Sequence, residues 1–89
     1  MTVSISEINE AGGIATRQEL ELLWLQYVDP TTNKRVLRLI SDRELRRMVL
    51  IGVCLKNKHR SALPKVIKQT GKALGLSVSS CYNIWRTVK

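Results

Sequence analysis

Most of the architecture turns on Thr70-Gly71-Lys72-Ala73-Leu74-Gly75-Leu76-Ser77-Val78-Ser79-Ser80-Cys81-Tyr82-Asn83-Ile84. A helix running up to Leu74 meets Gly75, the residue type that accepts positive φ and so ends helices in a tight turn. Leu76 then supplies an apolar plug for the corner, and Ser77 a hydroxyl to cap a second helix. Gly71, one turn before the corner, leaves room for the two helices to approach. In the second helix Cys81, Ile84, Trp85 and Val88 recur at i, i+3, i+4 and i+7, which marks its buried stripe. At about 100° per residue, that stripe places Ser79, Asn83 and Arg86 on the opposite side, flanked by Val78 and Tyr82. The preceding helix buries Leu63, Ile67, Thr70, Gly71 and Leu74, and carries Lys65, Lys68 and Lys72 on its other face.

Working outward, charge is the next signal. The 89 residues carry a net charge of +8, unevenly placed. Residues 1–33 hold one basic residue and five acids, net −4; residues 34–89 hold fourteen basic residues and two acids, net +12. No acid follows Glu44. Ordinary soluble surfaces mix both signs, so such a stretch predicts a polyanionic partner, and double-stranded DNA fits first. The outward side chains of the last helix suit a major groove: Asn pairs bidentately with adenine, Arg with guanine, and Ser bonds bases or phosphates. The candidate base readers are therefore Val78, Ser79, Tyr82, Asn83 and Arg86.

Upstream, Ser41-Asp42-Arg43-Glu44 has the form of a capping box. Leu45, Met48, Val49, Gly52 and Val53 follow at helical spacing, predicting a helix to about Leu55 or Lys56 that is apolar on nearly every side and hence buried. Residues 56–60 read as a basic connector, and Ser61 as the cap of the next helix, with Pro64 in its first turn. Thr16-Arg17-Gln18-Glu19 is another capping box, and Leu20, Leu23, Trp24 and Tyr27 predict a helix over residues 17–28. Asp29 to Lys34 reads as a turn. The alternative for residues 22–40 is a small β-hairpin, since Trp24, Tyr27, Val28, Val36 and Ile40 suit strands. Residues 1–13 show no period, and Ala11-Gly12-Gly13 reads as a joint. The expected fold is all-α, three to five helices, with or without that N-terminal hairpin. A three-helix bundle over residues 41–89 forms its C-terminal unit, and residues 1–40 form an acidic segment that packs on or extends the core.

Several classes are disfavoured. The longest apolar run, Met48 to Leu55, is too short for a bilayer, and Met1-Thr2-Val3-Ser4 begins no signal peptide, so a cytoplasmic, nucleoid-associated protein without a membrane partner is expected. Two cysteines and one histidine (His59) at unrelated spacings do not make a zinc site, and Cys54 and Cys81 read as buried free thiols. Gly71-Lys72 lacks the spacing of a phosphate-binding P-loop. No serine sits in a nucleophile elbow, so neither enzyme chemistry nor a cofactor is expected. Arg43, Arg46 and Arg47 fit phosphate contacts and a solvated face equally well.

The quoted stretch resembles the helix-turn-helix motif of bacterial regulators and transposases. The first helix of that motif crosses the phosphate backbone, so the resemblance assigns phosphate contacts to Arg60, Lys65, Lys68, Lys72 and Ser77. The order of elements over residues 41–89 is further similar to the N-terminal DNA-binding region of Mu-type transposases, which reads transposon ends ahead of an acidic catalytic domain. No such catalytic core lies within these 89 residues, so the expectation is either an excised recombinase domain or a free-standing transcriptional regulator. The N-terminal segment then dimerises or meets a partner or a larger parent protein. Against these stand a protein–protein adaptor with a structural helical corner, and RNA binding.

Overall fold

A computed structural model describes residues 4–57 and 63–88 of the chain. Among them the order is α1 (Ile5–Glu10), α2 (Arg17–Tyr27), α3 (Lys34–Leu39), α4 (Asp42–Asn57), α5 (Leu63–Leu74) and α6 (Val78–Val88), with no strand. The all-α expectation holds, with six helices rather than three to five, and the hairpin alternative over residues 22–40 is overturned. Local chemistry explains why. The Asn33 side chain accepts from the Arg35 N–H at 2.8 Å and starts a helix where the hairpin required a strand. The turn before it is held by Asp29, whose carboxylate accepts from both the N–H and the hydroxyl of Thr31, and by the Trp24 indole N–H donating to Thr32 Oγ1 at 3.0 Å. Those Thr31 bonds lower the Asp29 pKa from its ordinary value.

The caps follow the sequence. Thr16 and Glu19 form a complete capping box on α2. At the start of α4, Ser41 Oγ accepts from the Glu44 N–H at 3.2 Å, but the Glu44 carboxylate does not return a bond to the Ser41 N–H, so only half of that expected box forms. α1 lies in the segment that showed no period. It ends with Gly12 at φ +70, the Gly12 N–H reaching Asn9 O and the Gly13 N–H reaching Ile8 O. This is a six-to-one helix ending that needs a left-handed residue.

One continuous core joins the acidic and basic halves. Leu20 and Leu23 of α2 and Leu37 of α3 are buried with Leu45, Val49, Leu50 and Cys54 of α4, Ile67 and Leu74 of α5, and Cys81 and Ile84 of α6. α2 and α4 approach closely: a Cβ on Gly52 would run into the Tyr27 carbonyl oxygen. At the other end of the same helix pair, Arg17 donates to Asp42 at 2.6 Å and to the Leu37 carbonyl at 2.7 Å. α1 lies against α5 through buried Ile8, with the Asn9 amide donating to Gln69 O at 3.0 Å. Cys54 and Cys81 are free and buried, as expected. Burial pushes the Cys54 thiol up to about 11, with Cys81 adding to it, and raises Cys81 as well. No helix among the described residues is long and apolar enough to cross a membrane.

Candidate nucleic-acid interface

The corner between α5 and α6 is built from backbone and side-chain hydrogen bonds around one left-handed glycine. Gly75 has φ +72. Its N–H donates to Lys72 O at 3.2 Å, and the Leu76 N–H to Gly71 O at 2.8 Å, which closes the end of α5 in the same six-to-one pattern as α1. The Leu74 carbonyl, which that pattern leaves open, accepts from Arg46 of α4 at 2.7 Å. Ser77 starts α6: its Oγ accepts from the Ser80 N–H at 3.2 Å. The N-terminal linker braces the turn from outside, with the Ala15 N–H on Ala73 O at 2.8 Å and the Ile14 side chain over Gly75. Gly71 faces Cys81 so closely that a Cβ there would run into Sγ. The bare α-carbon of Gly71 therefore sets the distance between the two helices.

This packing fixes the exposed face of α6. Cys81 and Ile84 are buried, and Trp85 and Val88 are half-buried against the core. Ser79, Asn83 and Arg86 are exposed, Val78 is 56% exposed, and Tyr82 is half-buried. On α5, Lys65, Lys68 and Lys72 are all exposed, while Ile67, Thr70, Gly71, Ala73 and Leu74 are buried. Ser77 is exposed as well as capping. Arg60, the remaining phosphate candidate, lies outside the described residues, as do His59 and Ser61.

Two features of this surface were not singled out by sequence. The open groove between α4 and α6 is lined by Arg43, Arg47, Ser80 and Asn83 at one end and by Arg47, Ile51, Asn83 and Thr87 at the other. Asn83 therefore sits on the α4 side of the outward ridge. Lys72 shares a shallow depression with Ser6, Asn9, Glu10 and Gln69, which brings α1, with Glu10, beside that end of the lysine stripe. The i, i+4 spacing of Arg43 and Arg47 was visible in the sequence, but which helix they face is set only by packing.

The cations fall into two groups. Arg17, Arg46 and Lys56 are engaged within the fold, Lys56 by donating to Gln26 O at 3.0 Å with its ammonium 5.0 Å from the Tyr27 ring centre. The side chains of Lys34, Arg35 and Arg38 on α3, and of Arg43, Arg47, Lys65, Lys68, Lys72 and Arg86, make no hydrogen bond or ion pair among the described residues. Among those residues no group of His, Cys, Asp or Glu side chains is arranged to hold a metal ion. No family model matches the chain, nor does any curated protein or solved structure.

Proposed function

We propose that the chain binds double-stranded DNA sequence-selectively, with α5 and α6 acting as a helix-turn-helix on the three-helix unit α4–α6. The observation that carries this reading is the outward ridge of α6. Ser79, Asn83 and Arg86 are exposed hydrogen-bonding side chains on a helix anchored from behind by Cys81 and Ile84. Beside the ridge, cations with no hydrogen bond or ion pair among the described residues supply the sequence-independent attraction to phosphate. In this account Asn83 and Arg86 read base edges, with Ser79, Tyr82 and Val78 around them. Lys65, Lys68, Lys72, Ser77 and Arg60 hold phosphates. The protein is a binding module, not an enzyme, and serves as a small transcriptional regulator or as the end-binding domain of a transposase or recombinase in the cytoplasm.

Selection of bound duplexes from a random pool, with light scattering on the complexes, tests this. The reading predicts an enriched sequence. A palindromic site bound by a dimer identifies a regulator, and an asymmetric site bound by a monomer favours the transposon-end role. A pool that stays random after repeated rounds contradicts sequence-selective binding. One observation favours a protein partner as a second reading: α3 exposes two large apolar side chains, Leu39 (87%) and Val36 (50%). Under the adaptor reading this face binds the partner and the α5–α6 corner is structural.

A further inference from the structure

We infer that Arg43 and Arg47 of α4 form a second phosphate-binding rim, so that a duplex is gripped on both sides of α6. This rests on the DNA-binding reading and deepens it. α5 meets α6 through Gly71 against Cys81, and Lys68 and Lys72 lie on the turns of α5 that flank Gly71. α4 meets α6 on its other flank, where Arg43 and Arg47 share a groove with Ser80 and Asn83. The outward ridge of α6 runs between these two flanks. A helix lying in a major groove has a sugar–phosphate strand on either side, and a cationic rim on each flank matches that geometry.

The state of the three α4 arginines supports the assignment. Arg46 is half-buried and committed to the Leu74 carbonyl. Arg43 and Arg47 are exposed, and among the described residues neither guanidinium makes a hydrogen bond or ion pair. They stand four residues apart on one helix face, so their α-carbons are about 6 Å apart along the axis. A strand rising ~3.4 Å per nucleotide presents successive phosphates across that span. Guanidinium forks also suit phosphate oxygens better than ammonium groups do. Lysines on α5 and arginines on α4 thus grip opposite strands.

The test uses the whole chain and a duplex recovered by selection. Arg43→Gln, Arg47→Gln and the double variant are compared with Lys68→Ala over a salt series, with melting temperatures as a folding control. The expected result is an unchanged melting temperature and an equal loss on selected and scrambled duplexes. The slope of log K against log salt should fall by about 1 for each arginine removed. Uncharged methylphosphonate placed singly along each strand should weaken the wild type at positions that no longer matter in the double variant. Those positions should lie on the strand opposite the one silenced by Lys68→Ala. A wild type that binds its duplex while both arginine variants keep its salt slope overturns this rim and leaves the DNA-binding reading standing. A wild type that binds no duplex overturns both.

Discussion

Arg17 in α2 and Arg47 in α4 face away from the same core and spend their charge in opposite ways. The Arg17 guanidinium bonds the Leu37 carbonyl and Asp42 and lies 3.6 Å from Glu21, so its charge is used in holding α2, α3 and α4 together. Arg47 makes no hydrogen bond or ion pair among the described residues and lies in an open groove beside Asn83. The contrast extends to the halves they represent. The acidic first third contributes buried leucines and hydrogen-bonded turns. The acid-free second half contributes core as well, but presents cations that make no hydrogen bond or ion pair among the described residues. A high net charge is therefore uninformative until its members are sorted into engaged and unengaged groups.

The largest effect expected from this contrast is on stability, in the first third. Leu20 is fully buried between α2 and the core. Leu20→Ala should cost about 2–5 kcal/mol in a urea titration, while the molecules that remain folded keep wild-type DNA affinity. A loss below about 0.5 kcal/mol would mean that the N-terminal third is dispensable to the fold.

Next comes the α5–α6 contact. Gly71→Val drives its side chain toward the Cys81 sulfur and should cost about 1–3 kcal/mol. Adding Cys81→Ala should recover part of that loss, as a double-mutant cycle with a favourable coupling term. Strict additivity would show that another contact sets the spacing of the two helices.

Smaller still is a paired test of neighbouring arginines. Arg46→Met removes the cap on the Leu74 carbonyl and should cost about 1–2 kcal/mol of stability. Arg47→Met should change stability by less than about 0.5 kcal/mol and should weaken binding to every duplex instead. If both variants moved stability alike, the division into engaged and unengaged cations would fail.

At neutral pH the smallest effect comes from the thiols at the seam between α4 and α6. Cys54 is held near 11 by burial, against an ordinary value of 9.0, with Cys81 raised in the same direction. The unfolded chain therefore loses its thiol protons first. Stability should be unaffected below pH 9 and should fall between pH 9 and 11. A melting curve flat across that window, or equally steep in Cys54→Ser, would contradict this.

Much of this fold was legible because the relevant signals are local. Gly75, Leu76 and Ser77 define the turn within three residues, and Cys81 with Ile84 fixes the face of α6. Helices α1 and α3 were missed for a matching reason. A six-residue helix presents a single buried side chain, Ile8 in one case and Leu37 in the other, which is too few to show a period. In α3 Val36 and Leu39 are exposed and leave no buried stripe to mark a helix, while Val36 and Ile40 are residue types that suit a strand. Asn33 was the one available sign of a helix start. Within the site, the outward set on α6 followed from helical spacing alone. The roles of Arg43, Arg46 and Arg47 did not, because neighbouring positions differ by 100° and only the approach of α5 and α6 decides which direction is occupied.

The central claim is that the ridge of α6 reads sequence, and Asn83 tests it most directly. Asn83→Ala should leave the fold intact, since the side chain is exposed. In competition titrations at one salt concentration it should cost about 1–3 kcal/mol on a selected duplex, the range for one lost bidentate base contact. On a scrambled duplex, where phosphates supply the affinity, it should cost little. Equal losses on the two duplexes, or a wild type that prefers neither, would contradict the account.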